Sequence, residues 1–271
     1  MEKTGRSDSD TDRQSKEEKQ VVRRLWQQVD LKLAYLPMLA CCFVSGLTDG
    51  TIYNGQSKLG TVPGRSRVHR ANVGRVSFFS DSVRNIRVNA NGSLCSIAFF
   101  IVGSFAFSRF ALYLGGRRRG ILMLSFLIQA TLVMAAASIV QGGVIDGSYP
   151  SKRLPTDVDF KELIIIALLS FQAAGQIVSS RTLKVGEIPT VVVTSMLCDL
   201  MSDAALFSLA KNDKRNRRFI AFVLTLVGAI CGGWISKAAG AVGPSLWTVA
   251  GIKLLVASSC LMWKAEPDSV V

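Results

Sequence analysis

Apolar runs of about twenty residues recur along this chain, and nothing else in it constrains the fold as strongly. A helix needs about 20 apolar residues to cross roughly 30 Å of hydrocarbon. Only helices and closed barrels satisfy their own backbone there. The runs are continuous rather than alternating, which argues against a β-barrel. They cover about 33–52, 93–114, 121–140, 163–179, 219–235 and 242–262, and a shorter acidic run opens at Ile188. The expected fold is therefore all-α: a polytopic helical membrane protein with about 6–7 transmembrane helices. A mean hydropathy of +0.33 over 271 residues, 49% of them hydrophobic, fits that class.

Polar segments frame the apolar domain, which spans 33–264. Residues 1–32 mix both charges with almost no aromatics and are expected to be largely disordered. Within them, Val21 to Asp30 could form a short helix along the membrane surface. No apolar h-region opens the chain, so no signal peptide is expected. Residues 265–271 form a short C-terminal tail.

The net charge is +13. In a soluble protein that excess would suggest nucleic acid, but in a membrane protein it belongs in loops that set topology. The expected partner is the lipid bilayer, not nucleic acid. Residues 53–92 are basic and are read as a disordered insert or a replaced helix, in which Arg65, Arg67, Arg70 and Arg75 could attract anionic headgroups. A homo-oligomer has no support in the sequence. The basic stretches GGRRRG and KNDKRNRR both favour the cytoplasmic side, yet three segments separate them. One segment must therefore be re-entrant or broken, and the fifth, short and acidic, is the expected one.

Soluble-enzyme signatures are missing: there is no GxGxxG, GxxxxGK[ST], HExxH or GxSxG. The single histidine, His69, lies in the basic stretch. Six cysteines fall inside apolar runs without CxxC spacing and read as small hydrophobes. No enzyme activity, metal or cofactor is expected.

Charges inside membrane segments are costly and are functional candidates by default. Asp49 closes the first segment, Asp199 interrupts the fifth, and Lys253 lies near the middle of the seventh. Arg109 is close enough to a helix end to snorkel. Lys253 needs a carboxylate partner, for which Asp199 and Asp49 are the candidates, or a route to the interface. Gln172, Gln176 and Ser179 share one face of the fourth segment at i, i+4 and i+7. Ser195, Asp199 and Ser202 do the same in the fifth, with Thr190, Thr194 and Cys198 beside them. Two facing polar stripes could line a substrate or ion path; equally, they could be interhelical hydrogen bonds. Gly46-x-x-x-Gly50 and Gly228-x-x-x-Gly232 have the spacing of close helix contacts.

The order AxxxGLTDG, SLCSIAFFIVGSF, GGRRRGILMLSFLIQA, ALLSFQAAGQIVSSR, IPTVVVTSMLCDL and GAICGGWISK resembles the YoaK-like membrane proteins, a domain-of-unknown-function family, and its fungal branch most closely. The resemblance covers about Leu36 to Lys264. It implies a multi-pass fold with no established activity. Its shared elements fall on Gly46 to Asp49, on Gly175-Gln176, and on Pro189, Thr190, Thr194, Ser195 and Asp199. The two halves of the family look like a weak internal repeat, as in transporter folds. A Thr-Gly-Asn helix expected after the first segment is absent; the basic stretch stands in its place, with the signature of a translated intron or a local frameshift. The functional expectation is a small-solute or ion transporter-like protein. The alternative is a non-transporting structural or regulatory membrane protein, inactive through the replaced helix.

Overall fold

The computed structural model describes residues 19, 26–29, 34–56, 86–143, 160–186, 188, 190, 193–203 and 212–263. Among them the chain forms α1 (Tyr35–Gln56), α2 (Ile86–Leu114), α3 (Arg119–Gln141), α4 (Phe160–Thr182), α5 (Val193–Met201), α6 (Asp213–Ala239) and α7 (Gly243–Met262). The described residues contain no strand, only an isolated bridge between Gln28 and Arg118. Five helices, α2, α3, α4, α6 and α7, have the length and apolarity to cross a bilayer.

Local signals set the helix ends. Asn212 caps α6 by accepting a hydrogen bond from the Arg215 backbone N–H at 3.2 Å. Asp213 and Lys237 sit in the first and last turns of α6, where each charge complements the helix dipole. Gly240 ends the helix at φ 63°, a left-handed conformation that a side chain would strain. Proline opens α7, where its missing N–H costs nothing. The basic stretch expected to be disordered is helical at both edges: 53–56 extend α1 and 86–92 begin α2. Its centre, with Arg65, Arg67, Arg70 and Arg75, lies outside the described residues.

The main helix pairs are α1 with α6, α3 with α7, and α2 with α4. Further contacts of α3 with α4 and of α1 with α7 join these pairs into one bundle. The α1–α6 seam is built from glycine. A Cβ added to Gly46 or Gly50 would overlap the carbonyl of Thr225 or Ala229, and one on Gly228 or Gly232 would overlap that of Phe43 or Leu47. The two GxxxG motifs thus face each other and bring the backbones into direct contact.

Contacts at the helix ends fix which termini share a face. Val29 N–H donates to the Arg117 carbonyl at 3.1 Å, and Arg119 N–H to the Gln27 carbonyl at 3.2 Å. The Arg217 guanidinium stacks on the Tyr35 ring at 4.5 Å. Together these place the starts of α1 and α6 beside the α2–α3 turn. At the other end, Trp247 Nε1 donates to Gln141 Oε1 at 2.7 Å, joining the start of α7 to the end of α3. Arg117–Arg119 and the basic start of α6 therefore lie on one face. The nine residues of α5 span only about 14 Å at 1.5 Å each, too few to cross. Lys184, just after α4, and Asn212, at the start of α6, lie on the same face, where Asn212 Nδ2 donates to Asp203 Oδ2 at 3.4 Å. A re-entrant fifth segment resolves the charge conflict in the sequence.

The interior has two apolar layers. One, near the arginine-rich face, contains Met38, Leu122, Phe126, Leu183, Ile188, Val256 and Trp263. The other contains Val44, Leu47, Val133, Ala136, Leu169, Leu246 and Val249. The outward faces of α2, α6 and α7 remain apolar, for example Leu94, Ile101, Phe105, Ile230, Trp234 and Leu255, as lipid contact requires.

Candidate functional site

A polar layer separates the two apolar ones, and Lys253 is its centre. On α7, Leu246, Val249, Ala250, Lys253, Val256, Ala257 and Cys260 form one buried stripe at helical spacing. Lys253 shares that stripe, so its side chain enters the bundle. It is ten residues from the start of α7, roughly 15 Å at 1.5 Å per residue, beyond the reach of a lysine stem. The alternative of a route to the interface is therefore not taken; Lys253 is 0% exposed.

Two glutamines hold the ammonium. Lys253 Nζ donates to Gln129 Oε1 on α3 at 2.8 Å and to Gln176 Oε1 on α4 at 3.0 Å. Both glutamines are also fully buried. Their orientation follows from their other partners. Gln176 Nε2 donates to the Cys41 carbonyl at 3.0 Å, to Ser45 Oγ at 2.9 Å and to the Thr190 carbonyl at 3.4 Å. Carbonyls only accept, so the amide nitrogen must face them and its oxygen must face Lys253. Gln129 Nε2 donates to Ser125 Oγ at 3.4 Å. Ser125 Oγ lies 3.3 Å from Ser179 Oγ, which donates to the Gly175 carbonyl at 2.9 Å. One hydrogen-bonded chain thus runs Ser179, Ser125, Gln129, Lys253, Gln176, Ser45 and ties together α1, α3, α4 and α7.

Among the described residues no carboxylate joins this node, which corrects the candidate pairing of Lys253 with Asp199 or Asp49. Asp199 is exposed on α5, together with Thr194 and Ser195. The expected facing stripes therefore do not form. Gln172, Gln176 and Ser179 are buried in the bundle, whereas the short α5 presents Thr194, Ser195 and Asp199 outward. Thr190 belongs to the buried side: its carbonyl holds Gln176 and its hydroxyl is buried without a partner. The Gln172 side-chain oxygen is likewise buried and unpartnered. Asp49 is half-buried on α1 between Thr48 and Gly50. Arg109 is exposed on α2, its guanidinium 5.1 Å from the Phe105 ring. Cys41, Cys42 and Cys260 are buried as expected of small hydrophobes, but Cys198 is exposed on α5.

The sequence reading passed over Gln129 and Ser125. The available signal was modest: Gln129 is the one amide inside the third apolar run, and Ser125 precedes it by one helical turn. Without knowing that α3 packs on α7, nothing linked them to Lys253.

Energetically the node is finely balanced. Moving an ammonium out of water costs several kcal/mol even after relaxation. Each hydrogen bond to a charged group returns roughly 1.5–3 kcal/mol. The two amide oxygens therefore offset the cost without supplying a counter-charge. A crevice of about 10 Å³, room for about one water, lies beside the node between α2, α3 and α4. Its lining includes Gly116 and Thr182 at the arginine-rich face and Ser125 and Ser179 within the bundle.

Fold and site together define a multi-pass helical membrane protein with a buried lysine–glutamine node. Residues 37–259 match the family model described as a protein of unknown function, DUF1275, and the chain belongs to that family. No curated protein and no solved structure matches it.

Proposed function

We propose that this DUF1275 member is a small-solute or ion transporter-like protein whose path passes the Lys253 node, and that it stands closest to the YoaK-like fungal branch. The observation carrying this reading is a fully buried lysine, at mid-depth in a membrane bundle, held among the described residues only by neutral amides. A purely structural polar link between helices needs no ionisable group; a glutamine would serve. Ionisable groups inside membranes mark ion pathways and proton relays. The re-entrant segment touching the node through the Thr190 carbonyl adds the broken-helix element common at transporter sites. The positive-inside preference assigns the face carrying Arg117–Arg119, Arg181, Lys214 and Arg217 to the cytoplasm.

The second reading is a non-transporting structural or regulatory membrane protein. It is favoured by the tight α1–α6 backbone seam and by a crevice that admits about one water. The test is uptake of urea, rubidium and nitrate by liposomes containing the full chain, with Lys253→Gln as the comparison. Uptake lost in a variant that elutes as a single species supports transport. Background uptake of all three in the parent protein favours the structural reading.

A further inference from the structure

The chemistry of the node narrows what could bind there. Lys253 Nζ donates to Gln129 and Gln176 and, among the described residues, to nothing else, so one of the three donors of an ammonium is left over. Both amides are locked with their oxygens toward it, and neither can supply negative charge. The Ser125 and Ser179 hydroxyl protons are already committed, to Ser179 Oγ and to the Gly175 carbonyl, but the buried Thr190 hydroxyl, on the residue whose carbonyl anchors Gln176, has no partner and can donate. The crevice leading to Ser125 and Ser179 starts at the level of Gly116 and Thr182. Its lining carries no charge, but Arg117, Arg118 and Arg181 flank those residues in sequence, on the arginine-rich face of the bundle. A basic face raises the local concentration of anions and repels cations.

We infer that the Lys253 node is a binding site for a small anion, inorganic or carboxylate, and that this is the substrate class of the proposed transport. An anion beside Nζ brings the counter-charge that the surrounding amides lack, and a cation there meets like charge in a medium that screens poorly. The Gln172 oxygen, buried and unpartnered one turn from Gln176, can accept from a hydroxyl or a water carried with the anion. The inference rests on the transport reading, because the anion at the node is the cargo whose flux is measured.

The experiment uses liposomes holding the full chain, with potassium nitrate and potassium formate as the anionic probes. Rubidium gluconate and urea are the cationic and neutral ones. Nitrate or formate flux is expected at least tenfold above protein-free liposomes, with rubidium and urea at background. Gln129→Glu is nearly isosteric and places a carboxylate where an amide oxygen now meets the ammonium. It is expected to cut anion flux at least tenfold while raising the unfolding temperature, because the protein then carries its own counter-charge. A polar link of structural importance only would not couple greater stability to lost flux. Rubidium or urea flux without anion flux overturns the anion assignment and leaves transport standing. Background flux of every probe overturns both. Undiminished anion flux in a folded Gln129→Glu variant removes the node from the path. Should that variant not fold, the probe selectivity of the parent protein and of Lys253→Arg decides: Lys253→Arg keeps the charge and is expected to keep the anion preference.

Discussion

The glycine seam between α1 and α6 allows a prediction graded by geometry. An alanine at Gly46, Gly50, Gly228 or Gly232 meets a backbone carbonyl of the opposing helix, which has no rotamer to adopt and cannot step aside. The helices must separate, and a gap of about 0.5–1 Å gives up a quarter to a half of each dispersion contact it opens. Overpacking of this kind typically costs about 1–3 kcal/mol. The upper part of that range is expected here, because the separation spreads along the seam. Gly103, between α2 and α4, is a milder case: its added Cβ comes to 3.0 Å from the Ala174 Cβ and the Phe171 carbonyl, so a small shift suffices. Gly251 on α7 has nothing within 4 Å and is the control. There alanine is expected to be neutral or to stabilise by up to about 1 kcal/mol through helix propensity. Gly46→Ala and Gly228→Ala relax the same seam, so the double variant should cost less than the sum of the two. Unfolding in mixed detergent micelles, followed by helical circular dichroism, measures the series. If Gly46→Ala and Gly228→Ala each fall within about 0.5 kcal/mol of the Gly251→Ala control, the direct backbone contact is wrong.

Topology and capping give two more. Single cysteines at Arg118 and Lys214 in a background lacking the native six are expected to react with an impermeant maleimide from one side of the membrane, and cysteines at Gln141 and Ala239 from the other; labelling of positions 118 and 214 from opposite sides would mean that the fifth segment crosses. Asn212→Ala removes the bond from the Arg215 N–H and the contact with Asp203, and is expected to cost about 1 kcal/mol, while Asn212→Ser, which can still cap, recovers most of it; equal losses in the same unfolding assay would show that the cap contributes nothing.

Much of the helical architecture was legible because membrane helices announce themselves by length and apolarity. The six long apolar runs became α1, α2, α3, α4, α6 and α7, within a few residues except at the start of α2 and at the ends of α1 and α6. The polar lead-in to α2 hid its first turns: Ile86 to Gly92 are helical, although nothing in their hydropathy asks for it. The fifth segment was marked as exceptional by its charges and by the distribution of arginines in the loops, and among the described helices it is the one too short to cross.

The site was legible only in its parts. Lys253 and Gln176 stood out as polar groups in apolar helices, but their partnership is a property of packing: α7 lies against α3, α3 against α4, and Gln176 reaches α1. The sequence offered the lysine a carboxylate, Asp199 or Asp49, or a route to the interface. In the folded chain α5 turns Asp199 outward, and two amides take its place. A cation's partner cannot be read from one dimension, because several oxygens of similar acceptor strength compete and only proximity chooses among them.

By itself, then, the sequence determined the class of the protein: its helices, its glycine motifs, and a charge distribution that required one segment to turn back. Those follow from transfer free energies and backbone hydrogen bonding, which act on each segment separately. Tertiary structure alone decided that the two GxxxG motifs are halves of one seam. It also decided that Lys253 is buried rather than snorkelling, and that its charge is met by Gln129 and Gln176. These depend on which helix faces which, and that is set by the packing of all the helices at once.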